Sequence, residues 1–219
     1  MNFKEKLLHR LSLHEVQDIT SSYESDADKE ALYALTFDAS PRVSVNALWI
    51  FTHFDDLNNA WLYRYQDDLI NRVMKEADVT KRRLILSLLL RQPFEEEKLR
   101  ADFLDYCVNN ITACSQPYAV RVYCLKLAYE QMRFYAELLA ELQTALEMLA
   151  QEALSPGLAS AKRQIEKKIK FQLKRLKGGS KNSDFIKFFI HSHHTHSTKK
   201  TNASTSHHTT LRTYRASRH

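Results

Sequence analysis

The chain has 219 residues, of which 44% are hydrophobic, and a formal net charge of +6. This length suits one domain or one repeat array with an appendage. The charged residues 1–6 do not resemble a signal peptide, and no uncharged apolar run approaches the ~20 residues of a membrane span, so we expect a cytoplasmic protein and no membrane insertion. Glycine is absent before Gly157, which leaves few sites for tight hairpins and predicts an all-α fold.

The charge is unevenly distributed along the chain. Residues 1–156 contain 17 basic and 24 acidic side chains, residues 157–178 contain eight and one, and residues 179–219 contain seven and one. The repeats are therefore acidic and the C-terminal part is basic. A negative balance over residues 1–156 weighs against nucleic-acid binding by that part of the chain, because such binding depends on neutralising phosphates.

Apolar periodicity predicts helices throughout the body, with Ser40 as an N-cap and Pro41 at a first helical position. Pro93 is predicted to begin a helix that carries Glu95, Glu96 and Glu97 in its first turn. The predicted helices cover roughly 3–20, 27–37, 41–54, 57–77, 79–91, a segment from 93 through Ile111, 117–131, 134–153 and 157–176.

A unit of about 38 residues recurs along these helices. Pro41 and Pro117 lie 76 positions apart, Pro156 follows 39 later, and Asp78 begins a similar segment midway between the first two. One helix pair cannot bury its apolar face alone, so a period of this length indicates stacked helix pairs.

The segment from Asp38 to Val43, followed by Ala47-Leu48, resembles the inter-helix turn and second-helix start of HEAT repeats. The resemblance covers roughly residues 25–176. It implies a right-handed α-α superhelix of four to five helix pairs, whose second helices line a concave surface. The body also resembles small bacterial HEAT-like proteins without an established activity, some of which carry the label adenylosuccinate lyase.

That lyase label implies a serine-bearing mobile loop and catalytic histidines. The chain has neither that loop nor a suitable histidine pair, so we predict no lyase activity and no catalytic residues. His14-Glu15 begins like H-E-x-x-H, but Asp18 stands where the second histidine is needed. We interpret it as a solvated helix face, and we predict no metal site, no cofactor and no small-molecule substrate.

The predicted domain organisation has two parts. Residues 1–178 form the solenoid, ending in a basic cap helix over 157–178. Residues 179–219 contain the pattern of a short helix over 183–190, followed by a His/Ser/Thr-rich tail that we expect to be disordered.

The predicted binding residues are basic residues near the starts of the helices that begin at the repeat positions Asp78, Pro117 and Pro156. On a concave surface they would form a ladder for an acidic peptide, a phosphate-bearing ligand or nucleic acid; the other interpretation is ordinary solvated charge. They are Lys81, Arg82, Arg83, Arg121, Lys162 and Arg163.

An alternative groove consists of Trp49, Trp61, Tyr65 and Asp68. Alkylpurine DNA glycosylases, which are HEAT-like, hold damaged DNA with aromatic, acidic and basic residues. The competing interpretation is that these aromatic rings pack between helices. The leading hypothesis is therefore a non-enzymatic module that binds a partner protein on its concave surface; the alternative is a nucleic-acid-binding relative of the glycosylases.

Overall fold

The computed structural model describes residues 3–22, 25–149 and 153–177, and all regular secondary structure within these ranges is helical. The predicted all-α fold is confirmed. The predicted helix over 183–190 and the tail over 191–219 lie outside the described residues. The α-helices are α1 (Phe3–Lys6), α2 (Leu13–Ser22), α3 (Asp26–Leu35), α4 (Pro41–Phe51), α5 (Asp56–Ala60), α6 (Gln66–Lys75), α7 (Val79–Leu90), α8 (Ala101–Thr112), α9 (Tyr118–Met132), α10 (Ala136–Leu149) and α11 (Pro156–Lys177), with 3₁₀-helices at Trp61–Tyr65 and Glu96–Lys98.

The predicted repeat is visible in the helix starts. Helices α4, α7, α9 and α11 begin at residues 41, 79, 118 and 156, which gives intervals of 38, 39 and 38 residues. Two of the four residues that precede these helices cap them with a side chain, whereas Ser40 and Pro117 do not. The side chain of Asp78 accepts the Lys81 N–H at 2.9 Å, and that of Ser155 accepts the Leu158 N–H at 3.3 Å.

The helices are arranged as consecutive pairs. Helix α3 contacts α4, α6 contacts α7, and α8 contacts α9, while α10 and α11 follow as the fourth pair along the chain. We call α3, α6, α8 and α10 the first helices, and α4, α7, α9 and α11 the second helices. Contacts between α4 and α7 and between α7 and α9 connect the second helices, and contacts of α8 with α6 and α10 connect the first helices. Helix α2 packs on α4 ahead of the first pair.

Side chains at the C-terminal ends of the second helices bind the main chain one repeat earlier. Arg91, just after α7, donates to the carbonyls of Thr52 (3.1 Å) and Phe54 (2.6 Å), which follow α4. Gln172 of α11 donates to the Arg133 carbonyl after α9 at 2.8 Å. These bonds satisfy carbonyls that a helix end leaves without an intrahelical partner, and they fix each repeat on the one before.

The core lies between the two sets of helices. Leu48 in α4, Leu86 in α7 and Leu125 in α9 are fully buried, and so are Leu104 in α8 and Leu142 in α10. Truncating one buried leucine of this kind to alanine costs about 2–5 kcal/mol. Because both sets contribute, no pair has a separate interior, as the repeat pattern predicts.

The helix predicted over 57–77 is interrupted. Helix α5 ends at Ala60, residues Trp61–Tyr65 form a 3₁₀-helix, and α6 begins at Gln66. The tighter 3₁₀ winding brings Trp61 onto Phe51, where the rings stack with centroids 6.2 Å apart, and Tyr65 onto Tyr33 at 4.1 Å. Aromatic packing against the first repeat therefore overrides the continuous helical pattern.

The helix predicted to begin at Pro93 starts at Ala101 instead. Leu99 and Arg100 have extended backbone conformations, with φ and ψ of −61° and 121° and of −97° and 103°. Arg100 is held in this position by hydrogen bonds to Asp67 (3.0 Å), Asn71 (2.8 Å) and Asp102 (2.6 Å). The bonds of Arg100 to α6 therefore fix the start of α8. Apolar periodicity alone does not reveal them.

Residues Met1–Leu176 form one compact unit. The predicted boundary after residue 178 and the handedness of the superhelix stay predictions. Within the described ranges, no helix combines the length and the apolar character that crossing a membrane requires.

Candidate functional site

Each second helix leaves one face accessible to solvent. Counted from the residue before each helix (40, 78, 117 and 155), positions 2, 5 and 9 are exposed or half-buried in all four helices. Residues with this spacing lie on one side of a helix. We call these twelve residues the second-helix face: Arg42, Val45, Trp49, Thr80, Arg83, Ser87, Ala119, Val122, Lys126, Gly157, Ser160 and Gln164.

The second-helix face combines cations with apolar groups and contains no carboxylate. Arg42, Arg83 and Lys126 form no ion pair with any residue that the structure describes. Trp49 is half-buried and its ring meets His53 edge-on at 5.4 Å, while His53 Nδ1 lies 3.0 Å from the Trp49 carbonyl. Uncompensated cations beside half-exposed apolar side chains are suited to an acidic partner that also has apolar groups.

Charge separates the two sets of helices. The second helices contain fourteen basic side chains (one in α4, three in α7, two in α9 and eight in α11) and two acidic ones, Glu130 and Glu166. The first helices contain three basic side chains and ten acidic ones (three in α3, two in α6, two in α8 and three in α10). The acidic balance of residues 1–156 therefore conceals a basic layer.

The six basic residues predicted from sequence do not occupy equivalent positions. Arg83 lies on the second-helix face, five residues after Asp78, and Lys81 is half-buried beside it. Arg163 is exposed but lies eight residues after Ser155, and Lys162 is paired with Glu166. A ladder of homologous cations through these residues is therefore not formed.

Arg82 and Arg121 stabilise the turns between paired helices. Both lie four residues after the residue that precedes their helix. Arg82 Nη1 donates to Gln116 Oε1 at 2.9 Å, and Arg121 Nε donates to the Ile111 carbonyl at 2.8 Å. Arg121 is only 2% exposed, so it cannot reach a partner in this conformation and is removed from the candidate surface.

The alternative aromatic groove is not assembled. Trp61 is 6% exposed and packs on Phe51, Tyr65 stacks on Tyr33, and Asp68 is exposed on α6. Burial, with the nearby charge of Asp68, raises the pKa of Tyr33 to about 12. Trp49 alone remains on the second-helix face, while Trp61 and Tyr65 belong to the packing between α3, α4 and the 3₁₀-helix.

The H-E sequence at His14-Glu15 is a helix cap. The Glu15 carboxylate accepts the Ser12 N–H at 2.7 Å, and Ser12 Oγ accepts the Glu15 N–H at 3.2 Å, which is a capping box. These bonds from Ser12 lower the pKa of Glu15. No group of three His, Cys, Asp or Glu side chains within the described ranges could hold a metal ion.

A surface cavity of about 450 Å³ lies beside this cap, between α1 and α2. Its lining contains both basic and acidic side chains and it is open to solvent, so its chemistry does not select one class of ligand. The lining residues are Lys6, His9, Leu11, Glu15, Asp18, Ile19 and Ser22.

The thiols provide no reactive pair. Cys107 and Cys124 are buried in the core, whereas Cys114 is exposed. Burial, reinforced by the neighbouring Cys124 thiol, raises the pKa of Cys107. A raised pKa disfavours the nucleophilic thiolate, so Cys107 packs as a small apolar side chain.

Sequence reasoning missed most of the second-helix face, including Val45, Ser87, Val122 and Lys126. Aligning the four second helices on their preceding residues shows polar or charged residues at positions 2, 5 and 9, but also at positions such as 3, 4, 6 and 8, so the register alone does not identify this face. Emphasis on adjacent basic residues included Arg82 and Arg121 at position 4, which bind residues at the end of α8 and in the turn after it.

Comparison with known proteins agrees with this architecture. A family model described as HEAT repeat domain matches residues 3–169, which is more than half of the chain. No curated protein and no solved structure matched.

Proposed function

The chain belongs to the HEAT repeat domain family, and from that premise we propose that it is a non-enzymatic interaction module whose second-helix face binds an acidic segment of a partner protein. The repeat fold supports the general role, since stacked helix pairs present extended surfaces that are commonly used for binding. In HEAT-like stacks the second helices line the concave side, and this is where we place the partner.

The observation that supports this proposal is the absence of carboxylates from the second-helix face. Arg42, Arg83 and Lys126 lie on three successive second helices and remain unpaired within the described residues. Trp49 and Val122 provide apolar contact area between them. Tryptophan and arginine are the side chains that most often dominate binding energy at interfaces.

Charge reversal on the second-helix face tests the proposal. The full chain is used to capture proteins from a nuclease-treated lysate of its native cell, and the same capture is repeated with an R42E/R83E/K126E variant. The proposal predicts that a partner rich in Asp and Glu is retained by the wild-type chain and lost by the variant. Opposite charges steer association and like charges suppress it, so the reversal should have a large effect.

The matched control reverses three exposed carboxylates of the first helices, as E30K/E137K/E141K. This variant should retain the partner. Equal loss from both variants would contradict the proposal, and so would a partner that is captured from an untreated lysate but not from the nuclease-treated one. The latter outcome would favour the alternative, in which the same face binds nucleic acid.

A further inference from the structure

The outer face of α11 is chemically different from the corresponding face of the other second helices. Positions are counted, as before, from residues 40, 78, 117 and 155. At position 8, α4, α7 and α9 carry Leu48, Leu86 and Leu125, all fully buried, whereas α11 carries exposed Arg163. At positions 12 and 15, α9 carries buried Tyr129 and Met132, whereas α11 carries exposed lysines, Lys167 and Lys170. The face that is apolar and buried in α4, α7 and α9 is thus cationic and exposed in α11.

These cations form a straight row. Arg163, Lys167, Lys170 and Lys174 follow each other at intervals of four, three and four residues, so they lie on one side of the helix. At 1.5 Å per residue the row is about 16 Å long. All four are exposed, and none forms an ion pair with a residue that the structure describes. We call them the α11 row.

Closing the repeat stack does not require charges of a single sign. A polar outer face of mixed charge ends a stack equally well. Cations at i, i+3 and i+4 repel each other and destabilise the helix that carries them. The α11 row therefore has a cost that capping alone does not explain, and a polyanion would remove that cost.

Two observations separate the classes of polyanion. The apolar face of α11 is not available for insertion into a membrane, since Leu158, Ala161, Ile165 and Ile169 are at most 4% exposed. Phe171, by contrast, is 64% exposed and lies beside the α11 row, four residues after Lys167 and three before Lys174. An exposed aromatic ring next to cations is the combination that stacks on an unpaired base while phosphates are neutralised.

We infer that the α11 row and Phe171 form a binding surface for single-stranded nucleic acid. The cations bind successive phosphates and Phe171 stacks on one base, without selecting a sequence. The α11 row lies on the side of α11 next to the second-helix face, and Phe171, seven residues after Gln164, lies where the two sides adjoin. The inference does not depend on the partner proposed for the second-helix face.

The test measures binding of the full chain to a fluorescent 15-nucleotide oligo-dT by anisotropy at several salt concentrations. A variant with Gln at all four positions of the α11 row should bind about tenfold more weakly or worse, and the log–log salt slope should fall by about 2.8, because each phosphate contact on a single strand contributes about 0.7. The matched control, R10Q/R64Q/K75Q/K98Q, has the same net charge and should bind within about threefold of wild type. The wild-type chain and the quadruple Gln variant have the same basic residues outside the α11 row, so the contribution of those residues to oligo-dT binding cancels in the comparison.

A single substitution tests the base contact without altering charge. Phe171→Ala should weaken oligo-dT binding at least fivefold, as loss of one stacked base does, and leave binding of inorganic polyphosphate unchanged. If the quadruple variant is unstable, K167Q/K170Q and Phe171→Ala supply the same comparison.

Three results would overturn the inference. The wild-type chain fails to bind oligo-dT at 50 mM salt; the control variant loses as much affinity as the α11 variant; or the α11 variant keeps oligo-dT binding and loses co-sedimentation with phosphatidylserine vesicles. The last result would assign the row to lipid headgroups. None of these results bears on the charge-reversal test of the second-helix face.

Discussion

The first and second helices differ in charge, although both sets are connected between repeats by ion pairs and by hydrogen bonds to main-chain carbonyls. Around the first helices, Arg64 contacts Asp26 at 3.2 Å and Arg100 contacts Asp67 at 3.0 Å, with both carboxylates mostly exposed, and Arg72 of α6 donates to the Thr36 carbonyl at 2.5 Å. Along the second helices, Arg91 and Gln172 donate to main-chain carbonyls, and Lys168 of α11 also contacts Glu130 of α9 at 3.5 Å. The acidic side chains of the first helices thus partly neutralise basic ones, whereas the cations on the second-helix face remain available.

This difference explains why the total charge of the repeats is misleading. A negative balance over residues 1–156 argues against a phosphate-binding or acid-binding body only if charge is evenly spread. Because basic side chains are concentrated on the second helices and acidic ones on the first helices, the second-helix face is positive although residues 1–156 as a whole are negative. Function is therefore better inferred from charge on each helix face than from charge along the chain.

The largest expected effect comes from placing a basic residue in α7 at the position where α11 carries one, Arg163. Leu86→Lys places an unpaired ammonium at a fully buried position and should lower the free energy of unfolding by about 4 kcal/mol or more. The reverse exchange at the equivalent exposed position, Arg163→Leu, should change it by less than about 0.5 kcal/mol. Urea denaturation followed by circular dichroism measures both.

Similar losses in the two variants would contradict the prediction that α11 is the cap helix of the solenoid. If Leu86→Lys prevents folding, Leu86→Ala provides a milder measurement, with an expected loss of about 2–5 kcal/mol.

A smaller effect compares the links between repeats. Arg91→Ala leaves the carbonyls of Thr52 and Phe54 without this donor and should cost about 1–3 kcal/mol. Arg100→Ala removes ion pairs to exposed carboxylates and should cost about 1 kcal/mol or less. Raising the salt concentration should reduce the second loss and leave the first nearly unchanged, because salt screens exposed charges. Equal costs with equal salt dependence would show that the two kinds of link are not distinct.

The sequence predicted the helical fold and the repeat well because both depend on local signals. Apolar periodicity and the residues at 40, 78, 117 and 155 define where second helices begin, and the observed starts follow them. It was wrong for the helices over 57–77 and from Pro93, where contacts between repeats decide, and for the helix over 3–20, which is divided into α1 and α2. The stacking of Tyr65 on Tyr33 and the bonds of Arg100 to Asp67 join residues 32 and 33 positions apart, which no local pattern reveals.

The candidate site was harder to predict because burial, not residue type, separates a binding cation from a structural one. Arg83 and Arg121 look alike in sequence, but one is exposed and the other donates from within the core. A difference of one position in the helix register decides between them.

Site-specific photo-cross-linking tests the central claim most directly. A photoreactive amino acid at Ser87, on the second-helix face, is compared with the same residue at Gln143, an exposed position of first helix α10. The account predicts that the captured acidic partner cross-links at position 87 and not at position 143. Cross-linking at position 143 alone, or equally at both, would contradict it.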